Sequence, residues 1–167
     1  MLFTFRTVTE KDRECVCGWL QQPHVTRWFY GDGLANTLKG IEEHIAGGSF
    51  AQYWMGLDGN RPVAFLITSL VEKPDDELSV WCQCSEMTIT LDLLIGDPDY
   101  LGKGLAAPLI RQFLNRQFPE AGEVLIDPEA TNEKAIHVYQ KAGFKIIGEF
   151  IPKHSPHLHY MMRLECK

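Results

Sequence analysis

The sequence lacks any apolar run near the roughly 18 residues that a membrane span needs, so no membrane partner is expected. It also has little positive charge. Lys and Arg total 16 against 22 Asp and Glu, a net charge of −6. Nucleic-acid binders usually show a basic excess or stripe, so no nucleic-acid partner is expected. Cysteine is sparse and odd in number: Cys15, Cys17, Cys82, Cys84 and Cys166 cannot all pair within the chain. Their Cys-x-Cys spacing suits neither zinc knuckles nor local disulfides, so a metal site is not expected. The start, Met1-Leu2-Phe3-Thr4-Phe5-Arg6, lacks the basic opening and long apolar stretch of a secretory signal. A cytoplasmic location with reduced thiols is the expectation. No repeat, low-complexity tract or linker interrupts the chain. What is there is 167 residues, 45% hydrophobic and 23% charged, enough to bury a core without staples. One domain over residues 1–167 is expected.

Hydrophobic periodicity predicts a mixed α/β fold. Residues 2–6 alternate as a strand, and Thr9 is placed to cap a helix over 9–20 that Pro23 ends. A helix is predicted from Asn36 or Thr37 to Ala46, stopped by Gly47-Gly48. Two β-rich runs, 50–57 and 62–70, flank Asp58-Gly59-Asn60 as a hairpin. Within 71–85, Val80-Trp81-Cys82 reads as a short strand. Residues 87–95 form the strongest strand, and near-continuous apolarity over 91–95 marks it as central. A helix over 104–118 follows, provided Pro108 lies in its first turn. A buried strand at 124–126, a helix over 131–142 closed by Gly143, and strands at 144–149 and 157–164 complete the chain.

The chemistry concentrates where the central strand ends. Tyr100-Leu101-Gly102-Lys103-Gly104-Leu105-Ala106 leads into a helix. Two glycines two apart let backbone approach a bulky anion, and the helix's first free N–H groups point at it. The loop lacks the spacing and Lys-Ser/Thr ending of a Walker A motif. Ala107 also stands where a Rossmann fingerprint needs its third glycine. Asp92 interrupts an apolar run, where an unpaired carboxylate is costly. It is either a catalytic carboxylate or one paired to a neighbouring loop. The run His154-Ser155-Pro156-His157-Leu158-His159 suggests metal, yet no carboxylate or cysteine lies nearby in sequence. A turn into the last strand is the preferred reading.

A second segment gives these residues context. Leu101 to Ala106 resembles the pyrophosphate loop of the GNAT superfamily of N-acetyltransferases, with Leu101 where Gln or Arg is usual. Asn132-x-x-Ala135-x-x-x-Tyr139-x-Lys141-x-Gly143-Phe144 resembles that superfamily's closing helix and strand. The resemblance extends to aminoglycoside 6′-N-acetyltransferases through His24-Val25-x-x-Trp28, Asp92-x-Leu94 and Asp127-Pro128-x-x-x-Asn132. It is dense from Asp92 to Phe144. Similar motifs occur in acyltransferases of siderophore synthesis, which usually carry His where this chain has Asp92.

That resemblance implies a single N-acetyltransferase domain. Its mostly antiparallel twisted sheet would have six or seven strands, a splayed central pair and about four flanking helices. It implies acetyl-CoA as co-substrate, no metal, and a cationic amine acceptor, with an aminoglycoside 6′-amine as the specific expectation. A siderophore precursor, a polyamine and a protein amine stay open, as does a non-enzymatic acyl-CoA sensor. Asp92 is the implied base and Tyr139 the implied proton donor to the leaving thiolate. Leu93, Leu94 and Ile95 would line the pantetheine arm with backbone amides. Leu101, Gly102, Lys103, Gly104, Leu105 and Ala106 would cradle the pyrophosphate. Asn132, Ala135 and Tyr139 would complete the cofactor site. Trp28, Phe29, Asp92 and Asp127 are the implied acceptor residues, with Asp75, Asp76, Glu77 and Glu86 as further acids. Monomer and homodimer both remain compatible with the sequence.

Overall fold

Strands apolar on alternate residues and helices with one apolar stripe can bury those surfaces only in layers. The computed structural model describes residues 1–72, 76–83 and 86–166. Seven strands form one sheet: β1 (Phe3–Thr7), β2 (Gln52–Asp58), β3 (Arg61–Leu70), β4 (Met87–Ile95), β5 (Ala121–Ile126), β6 (Lys145–Phe150) and β7 (His159–Glu165). Their spatial order is β1-β2-β3-β4-β5-β7-β6. All neighbours are antiparallel except β4 and β5, which run parallel. Five helices flank the sheet: α1 (Arg13–Leu20), α2 (Pro23–Thr26), α3 (Gly31–Ile45), α4 (Ala106–Gln117) and α5 (Glu133–Ala142).

The two sheet faces carry different cores. Phe113, Ile110 and Leu109 of α4 and Tyr139 of α5 pack on Ile89, Leu91, Val124 and Ile126. On the other face Val16, Trp19 and Leu20 of α1 and Ile41 of α3 pack on Met55, Phe65 and Leu94. A smaller cluster of Val71, Leu125 and Met161 sits beside it, under Leu78 and Trp81. Each fully buried apolar side chain contributes roughly 1.5–3 kcal/mol.

Most predicted elements form, with three differences. The helix expected from residue 36 begins at Gly31. Asp32 sits at its positive end, and burial of Thr37, Gly40 and Ile41 outweighs the poor propensity of its two early glycines. Pro23 begins the single turn of α2, its missing N–H harmless at that position. Residues 80–82 are not a strand. Glu77–Trp81 is a 3₁₀ turn whose start is held by the Leu78 N–H donating to the Asp76 carboxylate (2.9 Å). Trp81 lies so close to Gly148 that a Cβ there would sit 2.5 Å from the indole. This long-range peg overrides local β-propensity. Thr9 stands ahead of a 3₁₀ turn (Glu10–Asp12) that leads into α1; its side chain makes no cap bond, while its N–H donates to Asp12 (2.8 Å). Pro108 falls in the first turn of α4.

The sheet opens at its middle. β4 stays paired with β3 as far as Ile95, but with β5 only from Met87 to Thr90. β5 follows β7 instead, through Ile126. Beyond Thr90 the two halves diverge, leaving one edge of residues 91–95 without a strand partner. The splayed central pair expected from the sequence is therefore present.

Candidate active site

Strand periodicity decides which side chains meet at the gap. Leu91, Leu93 and Ile95 pack with the α4–α5 core, whereas Leu94 packs with the opposite one. Asp92, in phase with Leu94 and Thr90, projects to the α1–α3 side. Asp127 follows Leu125, which belongs to that same side. Both carboxylates line one cleft with Thr90, Glu77, Leu78, Phe150, Pro152 and His154. Its volume is about 190 Å³, roughly that of six waters and enough for the amine-bearing end of a larger molecule.

The electrostatics of the cleft favour a proton acceptor at Asp92. Its carboxylate makes no hydrogen bond or ion pair among the described residues. Water reaches it through the open mouth, but protein surrounds it at depth. This partial desolvation and the charge of Asp127 push its pKa up to about 7, against a smaller opposing pull from His159. A carboxylate so placed is a far better base at neutral pH than a solvated one. Asp127 is held differently. The His159 ring donates from Nδ1 to the Asp127 carbonyl (2.7 Å) and to its Oδ2 (3.0 Å). Burial alone would lower the His159 pKa, but these bonds and the charges of Asp127 and Glu129 raise it.

Tyr139 approaches the gap from the other face. Gly143, in the left-handed region at φ 110°, closes α5, and Asn132 opens it by accepting from the Ala135 N–H (3.2 Å). Tyr139 is 9% exposed, and its hydroxyl has no hydrogen-bond partner among the described residues. Burial first, then Asp92 and Asp127, raise its pKa well above the ordinary phenol value. It therefore keeps its proton at neutral pH.

The glycine loop follows on the α4–α5 side. Gly102 and Gly104 have φ of 71° and 70°, a conformation that side chains resist. A Cβ at either would meet nothing within 4 Å, so the loop stands open to a ligand. The Ala106 and Ala107 N–H groups lie in the first turn of α4, where the helix supplies no acceptor. Lys103 is exposed beside the loop, its Nζ 6.0 Å from the Tyr100 ring. Arg61 anchors the end of β4 through Asp97 (2.5 and 2.9 Å). His24 donates from Nε2 to the Ile95 carbonyl (2.9 Å), tying α2 to the same point.

Other sequence expectations are distributed around this centre. Phe29 packs against the α1–α3 core, and Trp28 is half-buried with the Arg27 guanidinium 5.0 Å from its ring centroid. Neither lines the cleft. The Tyr30 hydroxyl donates to Glu129 (3.0 Å), which brings this segment against the one that carries Asp127. Glu77 lines the cleft, and Asp76 caps the 3₁₀ turn beside it. Glu86 borders a different, larger hollow of about 430 Å³ with Glu123 and Arg163. There Glu123 is taken up by Thr88 (2.8 Å) and the Gln83 N–H (3.0 Å), and neither Asp92 nor Tyr139 takes part. Asp75 and Cys84 lie outside the described residues.

Sequence reasoning did not place Thr90 or Phe150 at the site, and it set the run containing His154 and His159 aside as a turn. Thr90 was legible as the residue two before Asp92, whereas the others depend on long-range pairing. Among the described residues no group of three or more His, Cys, Asp or Glu side chains could hold a metal ion. No helix among them is long and apolar enough to cross a membrane.

Comparison with known proteins agrees with this geometry. Residues 8–151 match the family model described as an acetyltransferase (GNAT) domain. The chain is similar to the aminoglycoside N(6′)-acetyltransferase of Legionella pneumophila, with 44% identity and a TM-score of 0.88, over 98% of this chain and 91% of that one. It is 29% identical over 153 residues to the aminoglycoside N(6′)-acetyltransferase type 1 of Klebsiella pneumoniae, covering 87% of this chain and 75% of that protein. An aminoglycoside acetyltransferase solved with coenzyme A and kanamycin is 22% identical, over 98% of this chain and 95% of that one. Its TM-score of 0.79 shows a shared fold. A gapped sheet with a glycine cradle on one face and a carboxylate cleft on the other, matched by a family model over most of its length, makes this chain a member of the GNAT acetyltransferase family.

Proposed function

We propose that this protein transfers the acetyl group of acetyl-CoA to the 6′-amine of an aminoglycoside, as a single domain over residues 1–167 working in the cytoplasm. Two carboxylates opening on one cleft at the sheet gap carry this reading. An acceptor bearing several ammonium groups is the natural complement of Asp92 and Asp127, whereas Glu77 is paired with Lys153 (3.5 Å). The similarity to the Legionella aminoglycoside acetyltransferase supports the same acceptor class. The acceptor is a small molecule met by a monomer or homodimer, without nucleic acid or membrane.

The glycine loop and the unpaired edge of β4 fit coenzyme A. Residues 101–106 would receive its pyrophosphate through backbone N–H groups, and residues 93–95 would flank its pantetheine arm. Ala135 would line the same arm beside Asn132. When bound, acetyl-CoA supplies an activated thioester. Asp92 takes a proton from the acceptor ammonium, directly or through water, freeing the nitrogen lone pair to form the C–N bond. Backbone amides of residues 93–95 polarise the carbonyl. Tyr139 would hydrogen-bond and protonate the departing sulfur as the C–S bond breaks, and the second proton shed by the acylated nitrogen would return through water to the Tyr139 oxygen. Its raised pKa keeps the hydroxyl protonated at neutral pH, so the proton is still in place when the thiolate forms beside it. Trp28 and Phe29 flank the outer part of the acceptor.

Free-thiol release with acetyl-CoA and a panel of amines tests the reading. Kanamycin and tobramycin should exceed spermidine and lysine in kcat/KM by at least about tenfold, the worth of one additional charge-assisted hydrogen bond. Equal or inverted preference would remove the aminoglycoside assignment and leave another amine in its place.

A further inference from the structure

We propose that His159 is a positioning residue for the acceptor site, tying one oxygen of Asp127 so that the other faces the cleft. This rests on the acetyltransferase reading above. The backbone brings the two residues together. The Tyr160 N–H donates to the Pro128 carbonyl (3.0 Å) and the Ala130 N–H to the Leu158 carbonyl (2.8 Å), while Glu129 bridges His159. The start of β7 is thereby laced to the segment leaving β5, and the His159 ring lies beneath Asp127.

Chemistry assigns the proton on that ring. Both contacts of Nδ1, the carbonyl and Oδ2 of Asp127, are acceptors, so Nδ1 carries hydrogen in every charge state. The opposite nitrogen, Nε2, is buried and has no hydrogen-bond partner among the described residues. An apolar side chain of similar size would fill this space, between Phe150 and His154, without the unsatisfied ring nitrogen. What it would lose is the bond to Asp127. Oδ1 of Asp127 has no partner among the described residues, which leaves it for an ammonium. An untethered Asp127 would rotate freely beside Asp92, its like-charged neighbour.

The ring has a second effect, through charge. Asp127 and Glu129 face it from the segment after β5, Asp92 from β4, and His154 from the segment before β7. Positive charge on His159 draws down the proton affinity of Asp92, opposing Asp127. Position and charge are separable, because an Asn side-chain amide replaces the Nδ1 donor and carries no charge.

The test combines imidazole nitrogen NMR with kinetics on the full chain. In the wild type, His159 should hold its proton on Nδ1, and its titration should move to lower pH in Asp127→Asn. His159→Leu should raise the acceptor KM about tenfold with little change in kcat, the signature of a lost charge-assisted bond. It should also move the acid limb of kcat/KM to higher pH. His159→Asn should restore KM to within about threefold of wild type while keeping the shifted limb. A proton on Nε2, or a titration indifferent to Asp127→Asn, overturns the pairing, and this is read even if His159→Leu does not fold. A folded His159→Leu with wild-type KM overturns the positioning role. Kinetics use whichever amine the wild type acetylates fastest, so failure on aminoglycosides counts against the acceptor class and not against His159.

Discussion

Asp92→Asn removes one charge from the floor of the cleft and barely changes its shape, so activity and stability should move in opposite directions. Folding carries this carboxyl from an ordinary pKa of 3.8 to about 7. At about 1.4 kcal/mol per unit, such a rise in a dry site would correspond to about 4 kcal/mol. The side chain is open to water in the cleft, and screening reduces this to about 1–2 kcal/mol. The sign follows from linkage. A carboxyl whose pKa is raised by folding binds its proton more tightly in the folded chain, so stability falls as pH rises from about 4 to about 7. The amide has no such dependence. At pH 8 the variant should therefore melt about 2–8 °C above wild type, given about 2–4 °C per kcal/mol for a chain of this size. Near pH 4 the two should coincide. Acetyl transfer, followed by thiol release, should meanwhile fall about 10²–10⁴-fold. Thermal melts by circular dichroism at both pH values check the prediction. A variant no more stable than wild type at pH 8, or equally stabilised at pH 4, would refute the electrostatic account of the cleft.

Three further outcomes follow from the same geometry. Tyr139→Phe keeps the packing of a side chain whose hydroxyl has no partner among the described residues, so stability should change by less than about 1 kcal/mol while kcat falls at least about tenfold. Retained kcat would assign Tyr139 to the core alone. Gly104→Val places a β-branched residue at φ 70° in the proposed pyrophosphate loop. It should raise the acetyl-CoA KM by about tenfold or more and spare the acceptor KM, as two-substrate kinetics would show. Gly96→Ala would set a Cβ 1.9 Å from the Trp19 indole, behind the end of β4, and should destabilise by about 1–3 kcal/mol in urea melts.

The legible and illegible parts of this chain differ in how far apart their determinants lie. β4, the glycine loop and α5 carry their signals within a dozen residues: apolar run, glycine pair, capping Asn132 and closing Gly143. All formed where the pattern placed them. The 3₁₀ turn at Glu77–Trp81 did not read correctly, because Trp81 answers to Gly148 and Phe150 across the fold. The early start of α3 was hidden by glycines that its packing tolerates. Asp92 and Asp127 were identified singly from sequence, but their meeting requires β4 and β5 to run parallel and then part. His159 looked like a turn histidine because its partner lies 32 residues away, reached only through the pairing of β7.

Product analysis is the most direct measurement. The protein is incubated with acetyl-CoA and kanamycin, and the product is examined by NMR. A single acetyl group on the 6′-nitrogen, formed in step with free thiol and not by Asp92→Asn, is the predicted result. Acetyl on another nitrogen, or no aminoglycoside product while spermidine or lysine is consumed, would contradict it.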